Sequence, residues 1–166
     1  YLEAVSDHMK ERQQAEERLR QSEQRFDTSQ RFANIGTWDW NIQTGDLHWS
    51  ERIAPLFGYQ VGEVEQRYEN FIAAIHPDDR QAVQDAISGC VESGTEYNIE
   101  HRVVWADGTL RWLHETGDVV RDEAGRPLNM LGVVRDITWR KQAEKRLRQS
   151  EAQLSAAIEN IGDGFI

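Results

Sequence analysis

The sequence predicts an α+β domain, an antiparallel sheet with helices packed across one face, carried between two long charged helices. Three observations point there. Segments that alternate apolar and polar residues stand at both ends of the middle region, two short ones first and three longer ones last. Between them the period of two gives way to short helical patterns, an order that places helices together on one face of a sheet. A charged helical segment is also written twice, as "RQQAEERLRQSEQRF" from Arg12 to Phe26 and "RKQAEKRLRQSEAQL" from Arg140 to Leu154, with ten of fifteen positions identical.

In the first copy Ala15, Leu19, Ser22, Phe26, Ser29 and Ala33 recur at alternating steps of four and three, the a/d seam of a heptad helix. The second copy repeats the seam as Ala143, Leu147, Ser150, Leu154, Ala157 and Ile161. Ala, Glu, Arg, Gln and Leu are good helix formers, and pairs such as Glu16 with Arg20 lie one turn apart. A solitary helix this polar is marginal in water. It either packs as a solvated helix on its own domain or pairs with the same helix of a second chain. The second arrangement is the expectation, with Leu19, Phe26, Leu147 and Leu154 as the contacts of a homodimer. Asn-Ile-Gly follows each copy, in "ANIGTWDW" and in "ENIGDGFI". The expected divisions are therefore an incoming helix over 1–32, a domain over 33–139, an outgoing helix over 140–160 and the start of a related domain over 161–166.

Within the domain, "GTWDWNI" alternates with Trp38, Trp40 and Ile42 on one side, and "DLHWS" follows a Thr44–Gly45 turn as the second arm of a hairpin. "ERIAPLFGY" and "YENFIAAI" read as short helices, the first interrupted by Pro55 and closed by Gly58. "HPDDRQAVQDAISGCV" starts a longer helix, with Pro77 at its first position and Asp78 and Asp79 facing the positive end of its dipole. Its expected buried stripe is Ala82, Val83, Ala86, Ile87 and Val91, with Cys90 beside it and partly buried. "TEYNIEHRVVW", "LRWLHETGDVVRD" and "PLNMLGVVRDIT" are three strands separated by "ADGT" and "EAGRP" turns. If Val103 faces the helices, Ile99 and His101 do too; Leu113, Glu115, Met130, Gly132 and Val134 share that side, and Trp38 and Trp40 look inward from the first strand. An apolar chamber with a few convergent polar groups is the form of a small-molecule pocket. The bland alternative is a filled core in which His101 and Glu115 bond each other or the backbone. Trp112, Leu131 and Val133 fall on the other side, an apolar outer face that the entering helix or a second subunit should cover.

A chain of 166 residues has room for one ordinary domain plus extensions. Its formal charge of −10 argues against a nucleic-acid surface, which needs clustered cations. The single Cys90 leaves no disulfide framework or multi-cysteine zinc site and suits a reducing, cytoplasmic compartment. No run approaches the ~20 apolar residues of a membrane span. The chain opens on Tyr1, so an excised piece of a longer protein is expected, whose anchor could lie elsewhere. There is no phosphate-cradling glycine loop, H-E-x-x-H pair or nucleophile elbow, so no enzyme activity is expected of these residues. Asp78 and Asp79 read as helix-start residues rather than a catalytic pair, and Cys90 as inert.

The combination of "HPDDR", "DGTLRWL" and "GVVRDITWRKQAE" resembles the PAS sensory domains, over nearly the whole chain. The resemblance implies a five-stranded sheet of order 2-1-5-4-3, a cavity between sheet and helices, and a sensing or relay module of a bacterial sensor histidine kinase or diguanylate cyclase. It marks Asp136 and Thr138, in the Asp-Ile-Thr segment, as the link to the outgoing helix, with Thr138 placed to cap the helix starting at Trp139. Flavin-binding relatives carry an Asn-Cys-Arg motif before the long helix, where this chain reads "VEQRYENF", so no flavin–cysteine adduct is expected. Haem-binding relatives supply a histidine from the long helix, and Pro77 to Glu92 contains none, so haem is not expected either. The cofactor is left unknown. The competing reading is a ligandless dimerisation or spacer module in a diguanylate cyclase or phosphodiesterase.

Overall fold

The computed structural model describes residues 2–162, and the chain divides into two compact units that meet in sequence between Ile35 and Gly36. The first is essentially one helix, α1 (Leu2–Ala33), which ends where Asn34 adopts φ 52°, a left-handed conformation that Asn tolerates. Along it Glu16 pairs with Arg12 and Arg20 with Glu17, so the predicted Glu16–Arg20 pair is replaced by its neighbours. Leu19 and Phe26 are exposed on this helix.

The second unit runs β1 (Ile35–Asn41), β2 (Leu47–Trp49), α2 (Ile53–Leu56), α3 (Tyr68–Ala74), a 3-10 turn (Pro77–Asp79), α4 (Arg80–Ser93), β3 (Tyr97–Val104), β4 (Leu110–Arg121), β5 (Pro127–Asp136) and α5 (Thr138–Gly162). The five strands form one antiparallel sheet of order β2-β1-β5-β4-β3. Alternation sets its two faces as expected. Tyr97, His101, Val103, Leu113, Glu115, Met130 and Val134 are buried, whereas Leu131 and Val133 are exposed. Asp107 Oδ1 accepts the Thr109 N–H at 2.8 Å inside the β3–β4 hairpin, the local bond that makes Asp-Gly a turn former.

Two local expectations are corrected around α4. Pro77 opens a 3-10 turn rather than the α-helix itself, with His76 Nδ1 accepting the Asp78 N–H at 3.3 Å. The Asp79 carboxylate does not cap α4. It takes the Arg102 backbone N–H at 2.8 Å and the guanidinium at 2.9 and 2.5 Å, so a charge-assisted pair with β3 outcompetes the helix's own donors. The buried stripe is Val83, Ile87 and Cys90; Ala82 is exposed, and Cys90 lies fully inside it. Burial pushes the Cys90 thiol pKa up, which suits an unreactive core residue. α4 stops at Gly94, whose φ of 68° lets its N–H return to the Cys90 carbonyl.

The C-terminal helix continues through Asn160 and Ile161 to Gly162, so the second Asn-Ile-Gly is helical where the first ends a helix. Beyond Gly162 the expected start of a following domain lies outside the described residues. Among the described residues no helix is long and apolar enough to cross a membrane.

The Asp79–Arg102 pair generates a prediction. Its hydrogen bonds with Arg102 hold the Asp79 carboxyl below the usual carboxylate range. A carboxylate whose folded pKa is depressed contributes stability above its unfolded value of about 3.9, and that contribution is lost as pH falls through the folded value. Asp79→Asn should lower stability at pH 7 by roughly 1.5–3 kcal/mol. In urea titrations the gap between wild type and variant should close below about pH 4; a gap independent of pH would remove the ion pair from this role.

Candidate functional site: a cavity and a helix junction

β1 sends Trp38 and Trp40 inward, and they line a cavity of about 40 Å³ together with Glu115, Met130 and Val134 from β4 and β5. Five residues that alternation places on the same side do not line it, Gly132 among them because the Trp38 ring covers it. Val103 and Leu113 are consumed by the core against Ile53 and Leu56, and Ile99 packs in the second core cluster. His101 stands behind Glu115. The remaining walls were not foreseen: Leu47 and Trp49 from β2, Ile53 and Phe57 around α2, Tyr68 and Phe71 from α3, Ile87 from α4 and Tyr97 from β3. The aromatic residues clustered within "HWSERIAPLFGY" and "YENF" were the available signal.

The aromatic walls are ordered. Trp49 stacks on Phe57 at 5.6 Å and 14°, and Trp40 on Tyr68 at 5.4 Å and 22°. Trp38 meets Tyr97 edge-on at 5.9 Å. Its indole reaches across β5 and β4 because the facing residues there are Gly132 and Gly117, paired directly in the sheet register. A methyl on Gly117 would lie 2.8 Å from the Trp38 ring, and one on Gly132 would strike both that ring and the Thr116 carbonyl oxygen. The two glycines are the space the tryptophan fills.

Glu115 is the polar centre. Its Oε2 accepts the Tyr97 hydroxyl at 3.1 Å and its Oε1 lies 3.2 Å from His101 Nε2, with His101 and Glu115 both buried. His101 Nδ1 stands 3.5 Å from the Arg102 carbonyl oxygen. Burial, reinforced by Glu115, pushes the Tyr97 hydroxyl pKa well up, so it remains a donor. The indole N–H groups of Trp38 and Trp40 are buried and have no hydrogen-bond partner among the described residues.

At the far end of β4 and β5 the outgoing helix begins. The β4–β5 ladder ends at Leu113 opposite Asp136. Ile137 extends it by donating its N–H to the Trp112 carbonyl at 2.9 Å, and Thr138 Oγ1 accepts the Trp112 N–H at 2.9 Å. Thr138 is thus not the helix cap. Its hydroxyl completes a rung of sheet that would otherwise end unpaired, and Asp136 Oδ1 takes the cap position by accepting the Thr138 N–H at 2.7 Å. One turn on, Arg140 and Lys141 both bind Glu100 of β3, with Lys141 Nζ at 2.6 Å and also 4.7 Å from the Trp112 ring. The two cations, Lys141 first, hold the Glu100 carboxyl below the ordinary range. This clamp was not read from the sequence, although Glu100 alternates with Ile99 and His101 and must therefore face outward. Among the described residues no cluster of His, Cys, Asp or Glu is arranged to hold a metal.

Gly132→Ala should destabilise the domain by roughly 1–3 kcal/mol through overpacking against Trp38. Its thermal midpoint should fall and its near-ultraviolet circular dichroism change, while Gly45→Ala, strained by a φ of 82° but in open space, should lower the midpoint and leave the tryptophan signal intact. Equal spectra for both variants would show that Trp38 does not depend on the glycine pair.

A family model described as the PAS fold matches residues 46–134. The sensor protein FixL of Bradyrhizobium diazoefficiens is 32% identical over 133 residues, covering 80% of this chain and 26% of that protein. The blue-light-activated histidine kinase of Brucella abortus is 30% identical over 135 residues, covering 81% and 27%. The probable diguanylate cyclase DgcE of Escherichia coli is 22% identical over 166 residues, covering 100% and 15%. The chain thus spans about a quarter or less of the length of these relatives. Among solved structures, a sensory box histidine kinase/response regulator from Burkholderia thailandensis superposes with a TM-score of 0.68 at 34% identity, covering 80% of this chain and 98% of that one. The N-terminal domain of a diguanylate cyclase with PAS/PAC sensor from Marinobacter aquaeolei gives 0.58 at 25% identity, covering 64% and 98%. With a family model across more than half its residues and the five-stranded sheet of that fold, this chain belongs to the PAS family.

Proposed function

We propose that this chain is a sensor and relay module of a larger bacterial signalling protein, a sensor histidine kinase first and a diguanylate cyclase second. The observation that carries this reading is the joint between sheet and α5. Trp112 is bonded through both backbone groups to Ile137 and Thr138, and three residues further along the same strand Glu115 lines the cavity. A change at Glu115 that shifts β4 therefore acts on the first turn of the outgoing helix. The cytoplasm is the compartment that suits this role. The small volume of the cavity and the mutual bonding of His101 and Glu115 favour, as the second reading, a spacer that receives strain from a neighbouring domain.

Asp136→Ala combined with Thr138→Ala removes the cap and the extra rung. Placed in the full-length parent, the double variant should stay folded and lose roughly 1–3 kcal/mol of stability. Its output should no longer follow the stimulus. Stimulus-dependent output at the wild-type level in the folded variant would sink the relay.

The same reading takes the protein to be a homodimer held by its helices and by the outer sheet face. Leu19, Phe26, Leu147 and Leu154 are all exposed in the single chain, and each lies on its heptad seam. Replacing Leu19 and Phe26 with Asp should shift sedimenting species towards monomer at micromolar concentration. An unchanged dissociation constant would take the incoming helix out of the interface.

A further inference from the structure

We propose that the Glu100–Arg140 ion pair controls how α5 docks on α5 of a second copy of this chain, by drawing a guanidinium out of the first core position of the seam. This rests on the homodimer proposed above and adds the direction of the pairing and the contact that regulates it. Arg140 stands seven residues before Leu147 and so extends the seam by one core position. Leu147, Leu154 and Ile161 follow it along the same stripe and are all exposed. The charges beside the stripe decide which helix fits. Arg146 and Glu151 flank the seam on opposite sides, and such flanking charges set the orientation of paired helices. In a parallel pair Arg146 meets Glu151 of the second copy, twice by symmetry. An antiparallel pair would turn the Arg146 flank towards its own kind and the Glu144 and Glu151 flank likewise. Arg18 and Glu23 repeat the arrangement in α1.

A parallel pair in register sets identical core residues opposite each other. At the head of α5 those residues are two arginines, whose like charges oppose the pairing. In the single chain the guanidinium is held elsewhere. Glu100 of β3 binds it, and Glu144 Oε1 stands 3.9 Å from its Nε. Glu144 travels with the helix, whereas Glu100 belongs to the sheet. The charge at the head of the seam is therefore matched in full only while β3 and α5 keep this arrangement. Arg12, at the matching place in α1, is bound by Glu16 of its own helix at 2.9 Å. Lys141, the other cation on Glu100, stands one residue off the seam and rests over Trp112. A shift of β3 that parts Glu100 from Arg140 thus returns a charge to the dimer seam.

The test is sedimentation equilibrium of the whole chain, reading the dimer dissociation constant. Arg140→Leu completes the apolar stripe and should tighten the dimer roughly tenfold or more. Glu100→Gln leaves the guanidinium to the seam and should weaken the dimer roughly two- to fivefold. Combined with Arg140→Leu, the Glu100→Gln change should have no effect, and Lys141→Gln alone should have none either. Equal weakening by Glu100→Gln with and without Arg140 would overturn the proposal, as would an Arg140→Leu dimer no tighter than wild type. Leu147→Asp combined with Leu154→Asp separates this from the homodimer itself. If that double variant dimerises as tightly as wild type, α5 is not in the interface, and the helix-held homodimer falls together with the proposal. If it loses the dimer while the Glu100 and Arg140 variants match wild type, the homodimer stands and the proposal alone falls.

Discussion

A β-strand presents alternate side chains to opposite faces, and β4 is bound by that constraint on both sides at once. Its inward residues, Leu113 and Glu115, are packed into the core and the polar centre of the cavity. Its outward Trp112 lies beneath the cations of α5 and β3, while its backbone holds the start of α5. Two neighbours, β3 and β5, bond it along both edges, so a lateral shift at Glu115 cannot stay at Glu115. β3 repeats the arrangement. His101 faces in, while Glu100 and Arg102 beside it face out to α5 and to Asp79.

The buried polar cluster explains how an apolar chamber keeps a carboxyl without a large desolvation cost. An isolated buried carboxylate would shed its charge or destabilise the fold. Here His101 Nε2 stands 3.2 Å from one oxygen and the Tyr97 hydroxyl donates to the other, so both oxygens have a partner. Such a network is stiff only while complete. Both partners of Glu115, Tyr97 and His101, are on β3, so the network ties β4 to that one strand.

Much of this was legible in the sequence, for physical reasons that differ by element. Period-two alternation fixes a strand's faces, so the inward set on β3, β4 and β5 could be read directly. The Asp-Gly turn, the proline after His76 and the glycine after Ser93 carry their geometry in single residues. Other features depended on competition between partners. The Asp79 carboxylate could serve its helix or β3, and only the position of Arg102 decides. The Thr138 hydroxyl could cap α5 or close the sheet, and the unpaired edge of Trp112 decides. Beside the walls read from β1, β4 and β5, others come from β2, α2, α3, α4 and the start of β3, whose convergence no local pattern encodes. Gly117 and Gly132 looked like ordinary weak points in strands, and their use appears only when Trp38 is laid across them.

Energy scale connects the cavity to the helices. The junction consists of two backbone and hydroxyl hydrogen bonds at Trp112, each worth roughly 0.5–1.5 kcal/mol net, a stronger bond from the Thr138 N–H to the Asp136 carboxyl, and the exposed Glu100 clamp, where screening leaves less. In the heptad seams of the two long helices Ser and Ala occupy seven of the twelve core positions, which leaves little apolar area on either. Coupling between two sites in one protein is typically about 1–3 kcal/mol. A ligand shifts an equilibrium only by the difference in its affinity for the two states. Two or three hydrogen bonds made in one arrangement of β4 and not in the other supply that difference. A deep hydrophobic lock on α5 would raise the requirement beyond what a few hydrogen bonds can deliver. The modest bonding at Trp112 therefore sets the free energy that a change inside the sheet would need in order to move the first turn of α5.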